Sequence, residues 1–493
     1  MILYQMFVTN SGATKIKDFF KEKVFFGNEP TPELIAILLV YFVQGILGLA
    51  RLAVSFFIKD DLGMSPVEVS IMLGIAALPW TIKPLFGFMS DGLPILGYRR
   101  RPYIILSGFL GSLAWIGFAT VVHSPWAATV ANILSSISVA FSDVIADSLV
   151  VERAREESNS DAGSLQSLSW AASAFGGLIT AYLSGFLLQQ FSPQTIFLIT
   201  AFFPLIVSAA AWLINEERVT SRPNFDTIKQ QFQQLRQVVS KKVIWLPAVF
   251  MFILQATPSA DSAFFFFVTN ELDFEPEFLG RVSLVTSIAS LVGVWLFQHF
   301  FKSISFRVMF GWSIVISTAL GLTTLLLITH ANRSLGIDDH WFSLGDSMIL
   351  RMVGQIAYMP LLVLSAQLCP EGVEATLFAL LMSVLNLAGL VSNELGALLT
   401  HWLGVTATNF DNLWLLILIA KLSHLLPLPF LGLLPSVNIE SEHEEGYHSS
   451  VPILEPELAS STHLGQNFMP DFFTDLVPII PSEKIAKSSE NYK

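Results

Sequence analysis

The chain has 493 residues, 53% of them hydrophobic and only 13% charged, with a mean hydropathy of +0.61. Soluble domains carry about a quarter charged residues, so an ordinary soluble enzyme is excluded and a polytopic membrane protein is implied. The net charge of -12 sits mostly in the C-terminal tail and outer loops, and gives no reason to expect a nucleic-acid partner.

Residues 1–31 read as a cytoplasmic segment holding Lys15, Lys17, Lys21 and Lys23. They lack a signal-peptide cleavage pattern and the Ser- and Arg-rich composition of a transit peptide, so a bacterial cell membrane is expected rather than an organelle. A bilayer core of about 30 Å takes roughly 20 apolar residues per helical span. Twelve such stretches follow: Glu33–Phe57, Val67–Met89, Pro102–Val122, Pro125–Val150, Ala162–Leu188, Thr195–Ile214, Lys242–Val268, Glu277–Phe300, Phe306–Thr329, Phe342–Leu368, Ala375–Trp402 and Leu413–Leu434. The predicted class is therefore an all-α membrane protein with twelve transmembrane helices.

The spans divide six and six, as two helical bundles over 32–215 and 242–435, joined by a polar, Gln-rich cytoplasmic linker at 216–241. Residues 436–493 turn acidic, lose apolar periodicity and read as a disordered cytoplasmic tail. Basic residues fix the expected orientation. With both termini inside, the cytoplasmic segments hold the Arg99–Arg101 triplet, Arg153, Arg218, Lys241 and Arg307 among others, and the external loops only Lys59 and Arg333.

The two halves also align. FVQGILGLARLAVSFFIKDDLGMSP, from Phe42, matches FILQATPSADSAFFFFVTNELDFEP, from Phe252, in its double Phe, acidic turn, Leu and Pro. That register sets Arg51 opposite Asp261. A repeat with an even number of spans is a parallel repeat about an axis along the membrane normal, so the bundles should be pseudo-symmetric.

Several ionisable residues fall where lipid is expected. A charge at mid-bilayer costs roughly 2.5–3.5 kcal/mol on insertion scales, so such residues normally face a bundle interior or a wet cavity. Arg51, Asp261, Arg351 and Glu394 belong to the outer halves of spans one, seven, ten and eleven; Lys83, Asp143 and Asp147 belong to the inner halves of spans two and four. Gln44, Gly48, Arg51 and Ser55 make one helical stripe, and Asn132, Ser136, Asp143 and Asp147 another. Such stripes should line a path. The candidate substrate-binding set is Gln44, Arg51, Lys83, Asp143, Asp147, Gln255, Asp261 and Arg351. Lys83 can equally serve to neutralise Asp143 or Asp147. Lys421 and His424 read as snorkelling or capping residues. Asp147 and Asp261 are the candidates for proton coupling, because a buried carboxylate is easier to protonate.

Pro79, Pro84, Pro258 and Pro360 should interrupt spans two, seven and ten, and Gly45 and Gly48 either loosen span one or let it pack closely. A single cysteine, Cys369, rules out an intrachain disulfide and a cysteine-based metal site. No metal or cofactor is expected.

The turn between spans two and three, PWTIKPLFGFMSDGLPILGYRRRPY from Pro79 to Tyr103, joins a helix leaving the membrane to one re-entering it. Its Gly-x-x-x-Asp and Gly-x-Arg-Arg order resembles the cytoplasmic signature of the major facilitator superfamily. With SDVIADSLVVERAR from Ser142 and CPEGVEATLFALLMSVLNLAG from Cys369, the chain resembles the folate-biopterin transporter family up to about Pro435. The Gly-Leu-Pro-Ile-Leu insertion before Gly97 fits that branch. The resemblance implies a major facilitator fold and a monomeric secondary transporter in the lipid bilayer, moving folates or pterins by alternating access, without enzymatic activity. Some members handle other metabolites such as S-adenosylmethionine. It also implies a cytoplasmic gate at Gly87, Asp91, Gly97, Arg99, Arg100 and Arg101, with Glu152 and Arg153 at the end of span four.

A folate offers a ring edge with adjacent N–H donors, an aromatic body and two tail carboxylates. Asp143, Asp147 or Asp261 could take the ring edge, and Arg51, Arg351 or Lys83 the carboxylates. Trp80, Trp170 and Phe264 to Phe267 offer aromatic surface, although a Phe-rich span is more often lipid contact. Two other classes fit the sequence less well. A membrane enzyme would need a clustered set such as His pairs or a metal-ligand spacing, and the nine histidines are scattered mainly over loops and tail. The absence of a phosphate-cradling Gly-Lys-Ser/Thr string argues against intrinsic ATP-driven transport. A pigment-assembly factor of the same superfamily would not need the intramembrane charges.

Overall fold

The computed structural model describes residues 30–156, 162–218, 239–301, 304–368 and 374–434. Most of the expected N-terminal segment, linker and tail therefore lie outside the described residues. Among the described residues, eleven helices are long and apolar enough to cross a membrane. We number the spans α1 (Pro32–Asp61), α2 (Pro66–Ser90), α3 (Arg101–Thr120), α4 (Pro125–Glu156), α5 (Ala162–Gln190), α6 (Pro193–Leu213), α8 (Pro276–Phe301), α9 (Phe306–Ile328), α10 (Asp339–Gln367), α11 (Glu374–Trp402) and α12 (Leu413–Leu433). The remaining one, α7, is two shorter helices, α7a (Lys242–Gln255) and α7b (Asp261–Asn270), which bring the total to the expected twelve.

Local chemistry starts several of these helices. Thr31, Ser65 and Ser192 cap α1, α2 and α6, each followed by a proline whose missing N–H costs nothing at that position. Ser65 and Glu68 close a reciprocal capping box. Proline also sets the breaks. The second span runs as Pro66–Ala76, Leu78–Thr81 and Lys83–Gly92, with Pro79 and Pro84 just inside the second and third pieces. Pro258 lies in the gap of α7. Pro360, expected to interrupt span ten, is instead carried inside a continuous α10.

The repeat is visible in the backbone. Leu62 N–H donates to Phe57 O and Met64 N–H to Ile58 O, both at 3.0 Å; 210 positions later Leu272 donates to Phe267 O at 3.2 Å and Phe274 to Val268 O at 2.9 Å. Gly63 and Asp273, equivalent in this register, both adopt left-handed φ, +61° and 54°. Arg51 and Asp261 each stand in the first turn of the second helical piece of their span.

The two bundles meet along α2 against α11 and α5 against α8. At the second contact a Cβ on Gly185 would fall 2.7 Å from Gly280 Cα, and one on Gly280 would fall 2.9 Å from Gly185 Cα, so the helices touch backbone to backbone. Gly45 and Gly48 are packing positions too, set against Gly177 and Thr180 of α5.

One end of the molecule, remote from the arginine turn, is sealed across the halves. Phe56 meets Phe265 edge-on at 5.5 Å, Lys59 Nζ donates to Asn270 Oδ1 at 2.7 Å, and Phe266 is buried in the core cluster built around Phe57 and Ile58. Tyr182 donates to Glu277 at 3.2 Å, also across the halves. The Phe264–Phe267 run therefore packs the seal and the core rather than forming an open stacking surface. Among the described residues, the cross-half hydrogen bond nearest the arginine turn is Asn386 Nδ2 to the Trp80 carbonyl, at 3.2 Å.

Candidate functional site

In the first half the polar residues close on one another. The break before Lys83 turns its ammonium toward α4, where Asp143 and Asp147, four positions apart, share a face. Lys83 pairs with Asp143 and stands 4.0 Å from Asp147. The ammonium also lies 4.8 Å from the centroid of the Trp80 ring. Tyr41 of α1 donates its hydroxyl to Asp147. The two carboxylates differ in access: 11% of the Asp143 side chain is exposed and 47% of that of Asp147. Asp147 is thus the open face of the cluster. A groove of about 320 Å³ between α2 and α4 is lined by Trp80, Asn132 and Ser136 among others. The α4 stripe read from the sequence thus runs from this groove to the ion pair.

On α1 the stripe divides. Gly48 faces Thr180 of α5, Gln44 is half-buried, and Arg51 is solvent-exposed although it belongs to a membrane span. Ser55 donates to the Arg51 carbonyl at 3.2 Å. Arg351 stands on α10, in the other half. Arg351 is also exposed, and its Nε donates to Ser290 Oγ of α8 at 2.7 Å.

In the second half the gap in α7 frees backbone groups, and α11 satisfies them. Ser392 donates its hydroxyl to the Thr257 carbonyl at 2.5 Å, and Ser259 N–H donates to the Ser392 carbonyl at 3.1 Å. Asp261 begins α7b, exposed, with its N–H given to Ser259 Oγ at 3.2 Å. Gln255 is half-buried at the end of α7a. His424 stands at the C-cap of the helix Leu413–Ser423 and its Nδ1 is 3.1 Å from Thr257 Oγ1, so it also braces the gap. Arg51 and Asp261 form no ion pair with each other; the register makes them equivalents, not partners.

One intramembrane carboxylate escaped the reading of the sequence. Asp346 on α10 accepts from Thr323 Oγ1 at 2.5 Å and Thr324 Oγ1 at 3.0 Å, within the field of Lys421. Lys421 crosses against Gly321, where a Cβ would lie 2.9 Å from its Cδ, so it turns inward instead of snorkelling. Only the depth of Asp346, seven positions into a long span, hinted at this. Glu394 presses its carboxylate onto Gly74 of α2 at the bundle interface, where a Cβ would fall 2.5 Å from Oε1.

The arginine turn is a two-residue hairpin. Ile95 and Tyr98 exchange backbone hydrogen bonds at 2.9 and 3.0 Å, while Leu96 and Gly97 take φ of 55° and 85°. The carboxylate of Glu216 then receives the N–H groups of Arg99, Arg100 and Arg101 at 2.5, 3.0 and 3.0 Å, the place at a helix N-terminus where a negative charge is favoured. The Arg101 guanidinium lies 5.5 Å from the Trp212 ring. These contacts tie α3 to the end of α6 within the first half. Gly87 meets Val144 of α4 at ordinary contact. Asp91, Glu152 and Arg153 lie on helices, with side chains outside the described part of the structure.

Residues 44–451 match the model of the BT1 family. A curated relative, the folate-biopterin transporter of a Synechocystis species, is 56% identical over 474 residues, covering 94% of this chain and 96% of its own length. This chain belongs to the BT1 family. Another curated relative, folate transporter 1 of Plasmodium falciparum, is 32% identical, covering 86% of this chain and 83% of its own length. Among solved structures, a nucleoside transporter and a D-xylose-proton symporter each reach a TM-score of 0.59 at 14% identity, covering 81% of this chain and 98% of each neighbour. At that identity the likeness establishes the fold, and the BT1 chain has the twelve-helix, two-bundle fold of the major facilitator superfamily.

Proposed function

We propose that this chain is a secondary transporter that carries folates and pterins across a cell membrane by alternating access, working as a monomer and without catalysis. The 56% identity to a protein named a folate-biopterin transporter supports the substrate class. The observation that carries the site is the half-open Asp147 beside Trp80, where a carboxylate and an indole face could take the N–H edge and the plane of a pterin ring. Lys83 and Asp143 hold that carboxylate in place, and Gln44, Gln255 and Asp261 belong to the same polar path.

With both termini in the cytoplasm, the sealed end faces outward and the described conformation is inward-facing. Rocking of the bundles would break the Phe56–Phe265 and Lys59–Asn270 contacts. Gly87, Asp91, Gly97, Arg99, Arg100, Arg101, Glu152 and Arg153 form the opposite gate. Asp147 and Asp261 are the proton-coupling candidates.

Uptake of radiolabelled folic acid, 5-formyltetrahydrofolate and biopterin by cells expressing the chain tests the reading. Transport of at least one above background, lost in Asp147→Asn, is expected. Background uptake of all three removes the substrate assignment, and uptake indifferent to an imposed pH gradient removes the proton coupling.

A further inference from the structure

The groove between α2 and α4 adjoins the ion-pair cluster but differs from it in chemistry. Leu73, Ala76, Ala77 and Trp80 make one helical face of α2, and Asn132, Ser135, Ser136 and Val139 make the facing one of α4 at the same spacing. The Trp80 ring is the wall shared with the cluster, since Lys83 Nζ lies 4.8 Å from its centroid. Elsewhere on α4, Thr129, Ser138, Ser142 and Ser148 each donate their hydroxyl to a backbone carbonyl. Asn132, Ser135 and Ser136 make no hydrogen bond among the described residues, so their donors and acceptors are left for a ligand. No residue lining the groove is charged. A neutral amide matches such a lining, whereas a carboxylate would find no cation in it. Pockets for drug-sized ligands run about 300–1,000 Å³; at about 320 Å³ the groove suits one ring with its linker rather than a whole folate. Val139, the groove residue nearest Asp147 along α4, is eight positions from it, about 12 Å at the helical rise. A bicyclic pterin ring anchored at Asp147 is shorter than that, and a pteroyl group carries a second ring beyond it.

We propose that this groove is the subsite for the aminobenzoyl amide of a folate, which makes the chain favour pteroyl compounds over bare pterins. This rests on the folate and pterin reading above and names the part of the substrate that sets the preference between the two. The pterin ring lies at Asp147 and Trp80, and the benzoyl ring follows the same indole into the groove, against Leu73, Ala76 and Ala77. The amide then meets Ser135, Ser136 and Asn132, whose hydroxyls and carboxamide supply both donors and acceptors. Ala76 and Ala77 matter because larger side chains there would fill the space the ring needs.

Equilibrium binding to the purified full chain, with folic acid, pteroic acid and biopterin as probes, tests this. Pteroic acid keeps the benzoyl ring but lacks the glutamate, and biopterin lacks both. The unaltered chain is expected to bind folic acid and pteroic acid each at least about tenfold tighter than biopterin. Ala77→Leu and Ser136→Leu, which fill the groove from opposite helices, should bring both ratios toward one. A merely structural role would weaken all three probes alike and leave the ratios standing. Asn132→Ala and Ser136→Ala add no bulk and keep the test open if a groove-filling variant does not fold. Each should lower the ratio of folic acid to biopterin affinity about twofold to tenfold. Biopterin bound as tightly as pteroic acid by the unaltered chain, a gain confined to folic acid, or ratios that survive in every folded variant overturn the subsite while leaving the transporter reading intact. Binding of none of the three probes overturns both.

Discussion

The two bundles began from one pattern and now treat charge in opposite ways. In the first, Lys83, Asp143, Asp147 and Tyr41 neutralise and hydrogen-bond one another, with only Asp147 open to one side. In the second, Asp261 stands exposed at the gap in α7 and Arg351 stands exposed on α10, and neither is paired with an opposite charge among the described residues. A closed cluster stabilises a fold and presents a fixed surface. An open one keeps its charge for something that arrives. The contrast separates positions whose loss should unfold the protein from positions whose loss should empty a site.

Four substitutions would break or sharpen that contrast. Lys83→Met should have the largest effect on stability, leaving Asp143 buried without its cation at a cost of about 3–5 kcal/mol. Thermal unfolding in detergent should show it as a large drop in melting temperature, whereas Arg351→Met should scarcely move that temperature. Equal drops for the two would erase the distinction between the bundles. Next, the double change Lys83→Met with Asp143→Leu should recover most of the loss, because an apolar pair of similar volume can replace a buried ion pair nearly neutrally. If the double variant melts no higher than Lys83→Met, the loss was not one of charge.

Asp346→Asn keeps the shape but removes the charge that Thr323, Thr324 and Lys421 face, and should cost about 1–3 kcal/mol by the same measurement. An unchanged melting temperature would mean that the second bundle has no closed polar cluster of its own. The smallest effect is expected from Glu216→Gln at the N-terminus of α3, about 0.3–1 kcal/mol, and it should shrink as salt is raised. A salt-independent loss would point to the hydrogen bonds to Arg99, Arg100 and Arg101 rather than to charge.

The spans were legible because apolar length is a local property, and the repeat was legible because equivalent turns need equivalent residues. The left-handed turn at Gly63 and Asp273 shows why: the backbone demand is the same, and both residue types meet it better than most. The intramembrane charges could likewise be picked out one by one. Their pairings could not. Glu216 reaches the arginine turn from over a hundred positions away, and Thr323 reaches Asp346 from another helix. Such partners are set by how helices lie against each other, which periodicity along one helix does not encode. For the same reason Gly48, on the polar stripe by spacing, turns out to sit under Thr180. Pro360 marked a break by its chemistry, yet the helix continues through it.

The glycine contact between α5 and α8 bears on how such a molecule would move. Gly185 is five residues from the end of its helix and twenty-three from the beginning, about 8 Å and about 35 Å at the usual helical rise. A bare backbone crossing placed so far off centre is a fulcrum with one short arm and one long. If the bundles tilt about it, the mouth at the arginine turn sweeps roughly four times as far as the mouth at the other end.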